Sequence, residues 1–299
     1  MSAGSFAADT RTVLEMIKIE HTLFALPFAL MGMLLAAGGL PDAGTVLWIV
    51  VAMVGARSAA MAFNRLVDRD FDAANPRTRT RALPAGLVTP RWVAGFVVVS
   101  CALLVLAAWR LNPLALALSP VALAVILGYS FTKRFTWASH LVLGLALAGA
   151  PLGAWIAVRG EVAARTPFLL AAAVLLWVAG FDMLYALQDR EFDRQRGLLS
   201  IPARFGVGGA LIASAISHLV MLVLLARLPA VYAADTGGAG PELGDVYWTA
   251  WAGCVVLAGY QHWVVRPGDL SRLDSAFFTA NGALAVWLFT LTAVDILAD

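Results

Sequence analysis

Two stretches of the chain carry residue types that could do chemistry. The first is Asn64-Arg65-Leu66-Val67-Asp68-Arg69-Asp70-Phe71-Asp72. The second runs from Asp182 through Tyr185, Gln188, Asp189 and Glu191 to Asp193. Each ends a long apolar run, and each holds an Asp-x-x-x-Asp pair, Asp68/Asp72 and Asp189/Asp193. Carboxylates four apart on a helix share one face, one turn apart, and repel mildly. A divalent cation turns that repulsion into attraction. Mg²⁺ takes octahedral oxygen ligands, commonly one or two carboxylates plus substrate phosphates. Two such pairs on opposing helices suit two Mg²⁺ ions bridged by a diphosphate, with Arg side chains on the remaining phosphate oxygens.

The neighbours of each pair extend this pattern. Arg57, Asn64, Asp68 and Asp72 fall at helical spacings of 7, 4 and 4, one polar stripe on an otherwise apolar helix. Asp182, Tyr185, Asp189 and Asp193 do the same at 3, 4 and 4. A shift of 121 residues lays Asp68 on Asp189, Asp72 on Asp193 and Asn64 on Tyr185, a weak internal repeat. A basic loop follows each stretch: Asn75 to Gly86 with Arg77, Arg79 and Arg81, and Arg194 to Arg204 with Arg196. An ionisable side chain at the centre of a membrane helix costs about 2.5–3.5 kcal/mol on insertion scales, so it faces a cavity, a partner or an ion. The bland alternative is a carboxylate paired with a nearby Arg in the headgroup region. One pair leaves that alternative open; two pairs, each with its stripe and loop, favour a cation site. Lys133-Arg134 ends another apolar run. By itself it reads as a positive-inside anchor, but it lies on the same side as both acidic stretches, where Lys133 can reach a diphosphate and Arg134 an acidic acceptor.

The elements that must position these groups are membrane helices. Of the 299 residues, 61% are hydrophobic and 13% charged, whereas a soluble domain has about 25% charged residues. Continuous Ala/Leu-rich runs predict an all-α, polytopic chain rather than a barrel. With roughly 20 apolar residues per crossing, nine spans are expected within one transmembrane domain, 1–299: 22–39, 44–63, 92–109, 112–130, 138–158, 167–187, 207–226, 247–265 and 274–296. The Gly-rich stretch 227–246 reads as a flexible loop. The charged residues before the first span argue against a signal peptide. With the N-terminus cytoplasmic, 16 of the 21 Lys/Arg lie on the cytoplasmic side, leaving Arg57, Arg110, Arg159, Arg165 and Arg227. That bias orients the bundle and brings both acidic stretches to one mouth. The near-neutral net charge of +2 gives no case for nucleic acid. Cys101 and Cys254 fit no metal or redox spacing. Lys18 and His21 read as interfacial anchors, Pro27 as a kink in the first span, and His140, His218 and His262 as isolated residues with no assigned role. Trp92, Trp109, Trp137, Trp155, Trp248 and Trp263 read as an interfacial belt.

These motifs resemble a known family. Asn64-Arg-x-x-Asp68-x-x-x-Asp72 with Asn75-Pro-Arg77-Thr-x-x-Arg81-x-Leu-Pro84-x-Gly86 resembles the first signature of the UbiA-type membrane prenyltransferases. Tyr129-Ser-Phe-Thr-Lys133-Arg134-Phe-Thr136 is similar to the family's short central motif. Asp182-x-x-Tyr185-Ala-x-x-Asp189-x-x-x-Asp193, with Gly197 and Ser200, is similar to the second signature. The resemblance implies nine helices around a cavity open sideways to lipid, and Mg²⁺-dependent transfer of a polyprenyl group from its diphosphate to an aromatic acceptor. Within the family the second stretch looks most like the branch acting on 4-hydroxybenzoate, and also like a menaquinone-pathway relative acting on 1,4-dihydroxy-6-naphthoate. Glu191-Phe192 leans slightly toward the latter.

The expected chemistry is ionisation followed by aromatic substitution. Asn64, Asp68, Asp72, Asp189 and Asp193 are expected to hold Mg²⁺, with Lys133, Arg65, Arg77 and Arg81 on the phosphate side. Arg134, with Arg57 second, is expected on the acceptor carboxylate. Asp189 or Asp182 takes the released proton, and Tyr185 orients or shields the cation. The substrates implied are a polyprenyl diphosphate and a small aromatic acid, and the place a cytoplasmic (inner) membrane. A cation-coupled transporter is the main competitor, since intramembrane carboxylates also mark ion paths. A phosphotransferase of the CDP-alcohol type is another, but its Asp-Gly-x-x-Ala-Arg pattern is absent from this sequence.

Overall fold

A computed structural model describes residues 12–16, 22–266, 270, 272–273 and 275–298. Lys18 and His21 lie outside the described residues. The described residues are mainly helical: α1 (Thr22–Ala37), α2 (Ala43–Val67), α3 (Arg69–Ala74), α4 (Pro90–Leu111), α5 (Pro113–Gly128), α6 (Ser139–Arg159), α7 (Thr166–Tyr185), α8 (Arg190–Arg196), α9 (Ile201–Thr236), α10 (Asp245–Val264) and α11 (Asn281–Ala298). Short 3₁₀ turns, Tyr129–Arg134 and Ala186–Asp189, follow α5 and α7, and a π turn, Ser275–Ala280, leads into α11. Among the described residues, seven helical segments are long and apolar enough to cross a membrane, and Phe24–Ala37 is a shorter apolar helix. The chain is a multi-pass membrane protein.

Local chemistry starts and stops these helices. Asp42, Thr89, Asn112 and Ser200 each accept a hydrogen bond from a main-chain N–H in the first turn that follows, which satisfies one of the donors a helix start leaves unpaired. Pro sits just inside α4, α5 and α9, where its missing N–H costs nothing. In lipid there is little hydrophobic drive between helices, so close packing holds them together. Gly55 shows this: a Cβ there would come within 2.9 Å of the Leu104 amide and the Ser100 carbonyl of α4. The core centres on Trp177 of α7, whose ring meets Phe28 of α1 at 4.9 Å and Phe181 at 4.9 Å between centroids. Its Nε1–H donates to Asn281 Oδ1 at 2.9 Å.

Three expectations need correction. The segment 227–246 is not all loop: α9 continues to Thr236, buries Tyr232 and ends at Gly237 in the left-handed conformation. Asp235 is a fixed cap, accepting from the main-chain N–H groups of Arg165 and Thr166 at 2.7 Å each. Its partners lie some 70 residues earlier in the chain, so local composition gave no sign of them. Trp155 packs inside the core at 5% exposure rather than in a belt. The histidines are not isolated: His218 Nδ1 lies 3.0 Å from His262 Nε2, and His140 joins Asp182.

Candidate active site

The two acidic stretches break their helices in the same way. α2 ends at Val67, Asp68 takes φ −93° and ψ 8°, and α3 begins at Arg69. α7 ends at Tyr185, Asp189 takes φ −99° and ψ 1°, and α8 begins at Arg190. The chain bends at the first Asp of each pair, yet the Asp72 amide still donates to the Asp68 carbonyl at 2.7 Å, so the four-residue relation survives the bend. The C-terminal ends of α2, α5 and α7 therefore converge. Helix C-termini carry partial negative charge, which adds to that of the carboxylates and favours cations. Arg134 shows the effect, donating to the terminal carbonyl of Val67 at 2.9 Å as well as to Asp68 Oδ1 at 3.2 Å.

Around these ends lies a cavity of about 670 Å³, within the ~300–1,000 Å³ typical of ligand sites. It is lined by Arg57, Asn64, Arg65, Asp68, Asp72, Arg77, Arg81, Lys133, Arg134, Asp182, Tyr185, Asp189 and Asp193, every residue singled out for the site from sequence. Its deeper wall is apolar: Phe24, Leu143, Leu147, Val178, Phe181 and Phe278.

The ion pairs cross between the halves. Arg77, from the loop after the first stretch, grips Asp189 of the second through Nε at 3.0 Å and a terminal nitrogen at 2.5 Å. Asn75 donates to the same carboxylate at 3.0 Å. Lys133 reaches Asp193 at 3.5 Å, and Ser200 Oγ donates to it at 2.9 Å. Asp72 pairs with Arg81 at 2.7 Å, with Arg65 4.0 Å away. Its buried Oδ2 accepts no hydrogen bond. Asn64 Nδ2 donates to Asp68 Oδ2 at 2.9 Å. Burial pushes the Asp68 carboxyl above the usual carboxylate range, opposed by the Arg134 hydrogen bond and charge. Tyr185 OH accepts from Arg77 at 3.2 Å.

Two expected roles meet competing contacts. Arg134 is engaged by Asp68 and Val67, whereas among the described residues the buried Arg57 Nε has no hydrogen-bond partner. Asp189 already accepts three hydrogen bonds from Arg77 and Asn75; for Asp182 the one bond among the described residues is to His140 Nδ1 at 2.7 Å. His140 is the residue that sequence reasoning missed. Its only sequence signal was position, in the first turn of a helix that begins shortly after Lys133-Arg134.

The donor set suits Mg²⁺. Every candidate ligand is a hard oxygen, and Asp72 Oδ2 is a buried acceptor that receives no hydrogen bond from the described residues, with Arg65 no nearer than 4.0 Å. Among the described residues no group of three or more His, Cys, Asp or Glu side chains stands ready to hold a metal ion. The carboxylates come in pairs, which leaves coordination positions for phosphate oxygens.

A helical membrane bundle whose acidic pairs and basic side chains meet over an apolar chamber defines a class of enzyme that handles lipid diphosphates. The chain belongs to the UbiA prenyltransferase family, whose sequence signature matches residues 25–288, and it is a transferase. It is 34% identical over 265 residues to a 4-hydroxybenzoate octaprenyltransferase of Aeromonas hydrophila, with 88% of each chain covered. It is 31% identical over 270 residues to the enzyme of that name from Alkalilimnicola ehrlichii, covering 90% of this chain and 87% of the other. The apo structure of a UbiA homologue from Aeropyrum pernix superposes with TM-score 0.82 at 35% identity, covering 94% of this chain and 99% of that one. A UbiA homologue from Archaeoglobus fulgidus bound to DMAPP and Mg²⁺ shares the fold, with TM-score 0.71 at 17% identity and coverage of 95% and 99%.

Proposed function

We propose that the protein transfers a polyprenyl group from polyprenyl diphosphate to the ring of an aromatic hydroxy acid of the 4-hydroxybenzoate type, in respiratory quinone biosynthesis. One observation carries this reading: two carboxylate pairs and six Lys/Arg side chains share one cavity with an apolar interior. The names of the Aeromonas and Alkalilimnicola relatives support the acceptor, and the DMAPP- and Mg²⁺-bound relative supports the donor and metal. The bundle crosses the inner membrane nine times, α1 and α10 completing the seven longer segments. The N-terminus and the site face the cytoplasm, in keeping with the Lys/Arg bias.

Asn64, Asp68, Asp72, Asp189 and Asp193 would hold Mg²⁺. When bound, Mg²⁺ supplies positive charge against the departing diphosphate. Arg65, Arg77, Arg81 and Lys133 bind the phosphate oxygens; they are the same cations that pair with the carboxylates around the cavity. As the allylic C–O bond breaks, these fixed charges stabilise the growing negative charge without reorganising. The aromatic ring carbon ortho to the hydroxyl attacks the allyl cation and forms the new C–C bond. Arg57 binds the acceptor carboxylate, since its Nε is unengaged, and Arg134 holds Asp68. Tyr185 shields the cation. Phe24, Phe181 and Phe278 line the apolar chamber, which accommodates the prenyl tail and excludes the water that would quench the cation.

The test is a product assay by mass spectrometry in membranes given Mg²⁺ and one prenyl diphosphate, with 4-hydroxybenzoate and 1,4-dihydroxy-6-naphthoate offered together. Prenylated 4-hydroxybenzoate is expected. Prenylated naphthoate alone would overturn the acceptor assignment and keep the chemistry; no prenylated product from either would overturn the reading.

A further inference from the structure

Asp182 and the buried His140 form a dyad that nothing in the metal or phosphate machinery requires. His140, on the first turn of α6, is fully buried. Its Nδ1 lies 2.7 Å from Asp182 Oδ2, and its Nε2 lies 3.3 Å from the main-chain amide of Ile201. That amide can only donate, so Nε2 must carry a lone pair. Nδ1 then carries the hydrogen and donates it to Asp182. The two bonds together select one neutral tautomer, in the way that the partner of one ring nitrogen decides the state of the other. The imidazole therefore serves Asp182 as a fixed hydrogen-bond donor. It holds the carboxylate in one orientation.

Asp182 is suited to receive a proton. It lines the cavity, and its side chain keeps 20% exposure. Its Oδ1 accepts no hydrogen bond from the described residues, while Asp189 already accepts three hydrogen bonds, from Arg77 and Asn75. It also lies seven residues before Asp189 on the same helical stripe, toward the apolar chamber. A ring proton must leave from that part of the site, because the new bond forms at the carbon that carried the diphosphate, where the phosphate side of the cavity meets the apolar chamber.

We propose that His140 is a positioning residue that holds Asp182 ready to accept the proton released from the aromatic ring, an inference that rests on the prenyl-transfer reading above. After the C–C bond forms, the C–H bond at the same ring carbon breaks. Its electron pair restores aromaticity, and the proton passes to the Asp182 carboxylate; diphosphate is the leaving group of the earlier step. Through Ile201, His140 also ties this base to the start of α9, next to the Ser200 that bonds Asp193. The two carboxylates thus share one support.

The test compares wild type, His140→Ala and His140→Asn in membranes with Mg²⁺, prenyl diphosphate and 4-hydroxybenzoate, either ordinary or deuterated at the ring positions beside the hydroxyl. Asn keeps a donor where Nδ1 stands; Ala keeps none. His140→Phe, which fills the volume, replaces the Ala variant if that one does not accumulate. In the variants without a donor, kcat is expected to fall roughly 10–100-fold, the range for groups that orient a functional side chain. KM for prenyl diphosphate stays unchanged, and ring deuteration slows turnover more than in wild type, because proton loss has become limiting. His140→Asn restores most of kcat and the wild-type isotope effect. An isotope effect equal in all the proteins, or a loss confined to KM for prenyl diphosphate, overturns the positioning role alone. A wild type that prenylates neither this acid nor the naphthoate overturns the functional reading and this proposal with it.

Discussion

The two acidic stretches share one backbone and differ in what surrounds it. Asp68 and Asp189 bend their helices with φ/ψ values within a few degrees of each other, and the second Asp of each pair is buried. Beyond that they diverge. In the first stretch the residue four before the bend is Asn64, a neutral amide that donates to Asp68. In the second it is Tyr185, which accepts from Arg77 and faces Phe278. Asp72 leans on two arginines, one from its own loop, and leaves an oxygen unpaired. Asp193 is held by Ser200 and by Lys133 from elsewhere in the chain. Seven residues before Asp189 stands Asp182 with its histidine; the shift of 121 lays the apolar Met61 on that position. The comparison teaches that one backbone frame has been furnished in two ways, and under the proposed function the first half would hold charge while the second would also meet the reacting carbon.

The largest effect should come from deleting the frame itself. Asp68→Ala and Asp189→Ala should each lower product formation at least about 100-fold, because both remove a fixed negative charge on which the handling of the diphosphate depends. EDTA should do the same to wild type, with recovery on added Mg²⁺, whereas a proton-coupled carrier would continue to move its substrate. Near-normal turnover in either variant would mean that one half alone suffices.

A smaller effect tests the crossed pairing. Arg77→Gln removes a cation that serves the opposite half, and kcat/KM for prenyl diphosphate should drop about tenfold, equivalent to about 1.4 kcal/mol. Arg81→Gln, which serves its own half, should act mainly on the Mg²⁺ requirement. Equal and identical losses would erase the distinction between them.

The pH dependence follows from Asp68. Burial raises its carboxyl pKa and Arg134 opposes the rise. As pH falls, Asp68 is thus protonated before an ordinary carboxylate would be, and Mg²⁺ is lost with its charge. Arg134→Gln removes the opposing charge, so the acid limb of the activity profile should move to higher pH. A limb that stays in place would assign it to another carboxylate.

The smallest effect separates support from chemistry. Thr78 Oγ1 donates to the Asp72 main-chain carbonyl at 3.0 Å, whereas Ser200 Oγ donates to the Asp193 carboxylate itself. Thr78→Val should lower stability by about 1 kcal/mol, the usual cost of one buried hydrogen bond, and leave Mg²⁺ affinity alone. Ser200→Ala should weaken the response to Mg²⁺. Thermal unfolding and Mg²⁺ titration, run side by side, decide between them.

Much of this molecule is written locally. Apolar runs between Pro, Gly and charged segments mark the helices, because lipid requires every main-chain polar group to be satisfied within its own segment. Each long helix falls within a few residues of its expected span, apart from α9, which extends at both ends, and α11, whose expected first turns form the π turn Ser275–Ala280. The site residues were legible for a related reason. A charge costs so much in a membrane helix that one kept there must have a use, and the spacing of these charges is regular.

What the sequence did not reveal are the partners. Asp235 sits in a stretch that reads as loop, and only packing carries its carboxylate to the start of α7. Arg77 and Lys133 read as phosphate ligands from their positions, but which carboxylate each one neutralises depends on how the two halves close on each other. His140 had no visible role, because Asp182 lies 42 residues away and Ile201 lies 61 away. Helical spacing is a short-range property of one backbone, and so the sequence by itself determined the helices and the two acidic pairs. Long-range contacts between side chains depend on where whole helices pack, and only the tertiary structure decided which cation meets which carboxylate and which carboxylate has a histidine behind it.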